Sequence, residues 1–232
     1  MGALVRRSIT AFFMAALVSA SSTAQSDLPP PFPRTNATKL LETDRIVVWD
    51  IVWPNQQPTA LHRHVYDQVG TYYQRGGRTI TTPDGTARQA MTEVGALSTT
   101  KKGTTHVEMG NTDSPLRAVF IELKHDDASG VLSAQDDISP TLPPQGAKQA
   151  YDEPRVRVWD TTATPGEDRS YRARNDTVVV YLGEGRLRIT GADGKIQELA
   201  VSPGTMRYVA RRTAEQVVAV SGAPRTMIFE LK

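Results

Sequence analysis

Short apolar runs rich in β-branched and aromatic residues punctuate this chain from residue 45 onward, and turn residues separate them. The runs at 45–53, 69–74, 78–82, 86–91, 96–100 and 117–124 read as strands. The first ends at Pro54, and Gly76-Gly77, Pro83-Asp84-Gly85 and Lys102-Gly103 mark turns between others. No long helical period interrupts them. Strands this short and this regularly spaced predict an all-β sandwich or closed barrel.

Residues 126–151 break the pattern. They are rich in Asp, Ser, Gln and Pro and read as a linker, with room for a short helix at 133–137. Beyond it the first half repeats. Arg155 to Asp160 echoes Arg45 to Asp50, Ala192-Asp193-Gly194 echoes Pro83-Asp84-Gly85, and Phe229 to Lys232 echoes Ile121 to Lys124. The same unit is expected twice, at 39–125 and 152–232.

The N-terminus is a separate matter. Arg6 and Arg7 precede an apolar stretch at 9–20, and Ser22-Thr23-Ala24 offers a small-x-small cleavage site. Residues 1–24 therefore read as a signal peptide, removed on export to the periplasm or the medium. Residues 25–38, with Pro29, Pro30, Pro31 and Pro33, read as an extended leader. Losing Arg6 and Arg7 leaves 25 basic against 25 acidic residues, so the mature chain is formally neutral. That argues against nucleic acid or an anionic membrane as partner. The chain has no cysteine, so disulfides, thiolate ligands and cysteine nucleophiles are excluded.

Candidate chemistry rests on histidine. The chain has four, and three of them are His62, His64 and His106. On a strand, residues two apart share a face, so His62 and His64 project together with Arg63 turned away. A third imidazole from another strand completes a set able to hold a divalent transition ion.

These residues resemble the cupin superfamily, as a two-domain (bicupin) member. Its first motif reads here His62-Arg63-His64, leading to Gly76-Gly77. Its second reads Gly103-Thr104-Thr105-His106, then Gly110-Asn111. The resemblance implies two jelly-roll barrels in tandem, with one ion of Fe, Mn, Zn, Ni or Cu in the first. The family's glutamate ligand is missing. Matching the halves by their glycine turns puts Gln68 at that place, opposite Asp176, as a weak ligand, an outer-layer residue or a place left to water. Asp67 is one residue off and turned away. Glu108, two residues after His106, shares its face as a fourth ligand or a general base. Tyr72 and Arg117 are candidates to orient substrate, with core packing and a rim position as the plainer alternatives. In the second half the histidine places become Arg172 and Arg174, or Ser170 and Arg172, and His106 becomes Glu215 or Gln216. None of these sets holds the same ion, and the second barrel is expected to pack on the first as an internal pseudo-dimer partner. A homo-oligomer stays open.

Three neutral imidazoles leave an ion its full charge, which favours an anionic substrate. Three-histidine cupins include thiol, gentisate and diketone dioxygenases. The resemblance thus implies an exported metal-binding protein, as a dioxygenase of a small anionic organic molecule or as a non-catalytic metal or small-ligand sensor of the periplasm.

Overall fold

The computed structural model describes residues 28–125, 144 and 146–232. The expected signal peptide and the helix at 133–137 lie outside the described residues. All regular structure among the described residues is β, and no helix there is long and apolar enough to cross a membrane.

The first half contains β1 (Ala37–Glu42), β2 (Ile46–Trp53), β3 (His62–Arg63), β4 (Asp67–Gln74), β5 (Gly76–Thr81), β6 (Ala87–Thr92), β7 (Leu97–Thr100), β8 (Thr105–Gly110) and β9 (Leu116–Leu123). The second contains β10 (Lys148–Glu153), β11 (Val156–Thr162), β12 (Asp168–Arg172), β13 (Asp176–Tyr181), β14 (Gly185–Gly191), β15 (Ile196–Val201), β16 (Met206–Val209), β17 (Ala214–Gly222) and β18 (Arg225–Leu231). The first half forms sheets of order β1-β2-β9-β4-β7 and β3-β8-β5-β6. The second forms β10-β11-β18-β13-β16 and β12-β17-β14-β15. Each second-half strand is numbered nine above its first-half counterpart, so the topology is repeated strand for strand. In each half the ladders form two separate antiparallel sheets rather than one sheet closed on itself.

Strand parity decides which core a residue enters. Trp49, Ile51 and Trp53 of β2 point into the first half and pack with Tyr72, Ala118 and Phe120. Ile46 and Val48 point the other way, with Val69, Val119 and Ile121, onto Val156, Val178 and Phe229 of the second half. Both faces of β2 are covered, which is why it reads as a continuous apolar run and not an alternating one. Each such side chain contributes about 1.5–3 kcal/mol by leaving water.

Ion pairs repeat across this contact. Arg45 Nη1 meets Asp176 Oδ2 at 3.2 Å, and Arg155 pairs with Asp67. Arg45 and Arg155 hold matching positions before β2 and β11, and Asp67 and Asp176 open β4 and β13. Reciprocal contacts of this kind are those of a twofold interface.

Two expected boundaries move. β1 begins inside the stretch read as a leader, and β10 begins inside the stretch read as a linker. The leader is not extended in solvent either. Phe32 is buried and stacks on Trp49, with centroids 4.7 Å apart and planes at 21°. The Arg63 N–H donates to Pro29 O at 3.0 Å.

Candidate metal centre

β3 and β8 pair antiparallel with His62 directly opposite His106. The ladder runs one residue further, because His64 N–H donates to Thr104 O at 2.9 Å and Gly103 N–H to His64 O at 2.7 Å. Gly103 has φ +86°, a conformation that side-chain-bearing residues rarely adopt, and its turn returns β8 alongside the histidines. His62, His64 and His106 are all buried, and each offers a ring nitrogen within 4.8 Å of the others.

The nitrogens suit an ion. His62 Nδ1–H donates to Ala60 O at 2.9 Å, which leaves Nε2 the acceptor, and that Nε2 is buried without a partner. His64 Nε2 and His106 Nε2 are 3.3 Å apart. Two nitrogens each about 2.1 Å from one ion, at an angle between octahedral and tetrahedral, lie about 3.0–3.4 Å apart. Burial chiefly lowers the basicity of His64 and His106, each to about 4, and lowers that of His62 too. All three rings are therefore neutral at pH 7, the form that ligates.

Glu108 lies behind them. Its Oε1 is 3.8 Å from His106 Nε2 and accepts from Arg78 Nη1 at 2.5 Å. Its Oε2 accepts from Trp53 Nε1 at 2.9 Å and Arg34 Nη2 at 3.4 Å. Burial alone raises the carboxyl's pKa, but the charges of Arg78 and Arg34 outweigh it and hold the group at about 2. A carboxylate so acidic, with both oxygens engaged, is a poor proton acceptor. It also lies outside the close group formed by the three histidines. Trp53 reaches it because Gly110 lies against the end of β2, where a Cβ would come within 2.3 Å of Trp53 O.

The other candidates divide. Tyr72 is buried on the inward face of β4, and its hydroxyl accepts from Arg78 Nη2 at 2.8 Å. It thus touches the residue that holds Glu108. Gln68 is buried, and its Nε2 has no partner among the described residues. Arg117 stands apart from them. It lies on the opposite face of β9, over the Tyr73 ring and 3.1 Å from Asp50. The matching residue of the second half, Arg225, pairs with Asp160 at 2.8 Å in the same way. The same pair therefore recurs in the half where no histidine remains.

Register also corrects the second half. Tyr171 stands opposite Glu215 as His62 stands opposite His106. Ala173 N–H donates to Thr213 O as His64 N–H does to Thr104 O, so Ala173 holds the His64 position. The expected arginine and serine replacements are therefore displaced by Tyr171 and Ala173, while Glu215 holds. Gln68 faces Glu122 as Thr177 faces Glu230, so its counterpart is Thr177 and Asp67's is Asp176. Glu215 is engaged by the Tyr171 hydroxyl and by Arg207 Nη2 at 2.9 Å. This cluster is satisfied by its own partners.

The sequence reading missed Arg34, Arg78 and Trp53 as members of this centre. Arg78 had a signal, since it shares strand parity with the buried Ile80 beside it. Arg34 had none, because its carboxylate partner lies 74 residues away.

No family model matches the sequence, and no curated protein matches it. Solved structures do. A cupin 2 conserved barrel domain protein from Leptotrichia buccalis is 14% identical, with a TM-score of 0.55 over 84% of this chain and 88% of that one. Salicylate 1,2-dioxygenase from Pseudoaminobacter salicylatoxidans is 13% identical, with 0.53 over 80% and 71%. Oxalate decarboxylase from Bacillus subtilis is 13% identical, with 0.53 over 81% and 68%. At these identities the likeness is one of fold, and the chain shares the all-β fold of cupin-domain structures.

Proposed function

We propose that this chain is an exported metal-dependent enzyme acting on a small anionic organic molecule, with dioxygenation as the reaction it fits best. The observation that carries the proposal is the group of three buried, neutral imidazoles converging from β3, the turn after it, and β8. His62, His64 and His106 would hold the ion, and Gln68 offers a further polar atom on the inward face of β4. A divalent transition ion held there supplies Lewis acidity and, where the metal allows, redox chemistry.

The protein's own groups set the charge. Arg34 and Arg78 face the single carboxylate of Glu108, so the buried set is net positive before any ion is counted. That favours an anionic ligand. With both oxygens of Glu108 taken, the carboxylate beside the histidines is a poor proton acceptor, which fits oxidation of an already ionised substrate better than chemistry needing a strong base at that position. The same saturation supports the second reading, a metal or small-ligand binding protein without turnover. Export rests on residues 1–24 and remains part of the proposal.

Oxygen uptake by the iron-loaded chain against a panel of small hydroxylated, thiol and aromatic carboxylates tests it. Uptake that depends on one substrate and vanishes in His106→Ala supports the enzyme. Stoichiometric metal with no uptake on any substrate moves the protein to the binding reading.

A further inference from the structure

Resting on that reading, we propose that Arg78 and Arg34 hold Glu108 out of the metal's ligand set, keeping it to the histidines, and that Glu108 becomes a ligand when the clamp is released. Glu108 Oε1 is 3.8 Å from His106 Nε2, one short movement from the histidine group. Arg78 Nη1 sits on that same oxygen at 2.5 Å. Its other nitrogen, Nη2, is fixed by the Tyr72 hydroxyl at 2.8 Å, and the guanidinium lies over the Trp53 ring at 4.8 Å. The second oxygen is taken by Trp53 Nε1 and Arg34 Nη2. Every hydrogen bond to the carboxylate therefore draws on a side chain other than the histidines.

The two arginines are delivered differently. Arg78 is fixed in β5, paired to Gly110 of β8. Arg34 comes from the segment before β1, where its guanidinium lies 5.4 Å from the Phe32 ring centroid and 5.7 Å from that of Trp53. Its Nε and Nη1 are buried without a partner among the described residues. An arginine that leaves two buried donors unpaired to reach one carboxylate oxygen is there for that carboxylate. A single guanidinium already neutralises Glu108, so the second adds charge at the site and ties the N-terminal segment to it. Arg34, Arg78 and Tyr72 are positioning residues in this account.

The visible spectrum of the full mature chain loaded with cobalt(II) tests the clamp, because its band positions and intensity follow the ligand set. Glu108→Gln is expected to leave the wild-type spectrum unchanged, since Glu108 is not a ligand. Arg78→Gln is expected to change the spectrum and to tighten cobalt binding about tenfold, the size that outer-layer changes have on metal affinity. Arg78→Gln/Glu108→Gln is expected to return both to wild type. If Arg78→Gln does not fold, Arg34→Gln takes its place, with a smaller change of the same kind. A changed spectrum in Glu108→Gln overturns the proposal, as does tighter binding in Arg78→Gln with an unchanged spectrum, which would be charge alone. A wild type that takes up no cobalt, or whose spectrum survives His106→Ala, fails at the three-histidine reading itself.

Discussion

At the scale of single residues, the histidines are held as bases that stay neutral well into acid. His64 and His106 titrate near 4 in the folded chain against an ordinary 6.5, chiefly through burial. The sign follows from linkage: between these values the unfolded chain takes up protons that the folded one does not, so stability falls as pH falls through that window. The metal-free protein is expected to lose melting temperature steadily from about pH 6.5 to pH 4. Glu108, held at about 2, adds a further loss below its unfolded value of 4.5. His64→Gln should flatten the upper part of that profile, and melting curves across pH read it directly. An unchanged profile contradicts the burial argument. The histidines were legible in sequence because i, i+2 spacing on a strand is local. Glu108 was legible in direction only. Parity put it on the right face, but its partners come from the N-terminal segment, β2 and β5, and a pattern of spacing does not carry contacts at that distance.

At the scale of elements, parity separates site from scaffold. β9 sends Ala118 and Phe120 inward, and turns Arg117 toward Asp50 and Tyr73. Arg117→Ala is expected to leave metal binding unchanged and to cost at most about 1 kcal/mol, the usual worth of a partly exposed ion pair. Metal titration and denaturant melts check both halves of that statement. The segment before β1 behaves oppositely. Its prolines and polar residues made it look like a solvated leader, yet Phe32 enters the core on Trp49 and Arg34 reaches Glu108. Phe32→Ala should cost about 3 kcal/mol, as truncation of buried aromatics does, and should disturb metal binding through Arg34. A loss below about 1 kcal/mol, the size seen at surface positions, would show that the segment is not docked. The missed detail in the second half has a plain cause as well. The β12 register against β17 shifts the equivalence by one residue from that suggested by the glycine turns, and in a strand one residue is the difference between inside and outside.

At the scale of the whole molecule, one half carries the histidines and the other supplies a surface. The repeat was visible in sequence, because each half must bury the same faces and so uses the same residues at the same places. What it did not show is how the halves meet: Arg45 to Asp176 and Arg155 to Asp67 are fixed only once both sheets are in place. Reversing either charge alone, in Asp67→Arg or Arg155→Asp, is expected to cost about 2 kcal/mol, in the range of charged hydrogen bonds. The double variant should recover most of it, and a denaturant series on all three measures the coupling. Additive losses would mean that the pair does not bridge the halves. Losing the second half's sheet would uncover Val48, Val119 and Ile121.

The account turns on whether the three histidines hold an ion. The direct measurement is the metal content of the chain from residue 25 onward, purified without a histidine tag or chelator, beside His62→Ala and His106→Ala. The account predicts about one transition-metal ion per wild-type chain, as a single three-histidine site requires, and its loss from both variants while they remain folded. A wild type that stays empty and gains no melting temperature from added divalent ions, or variants that keep their metal, would contradict it.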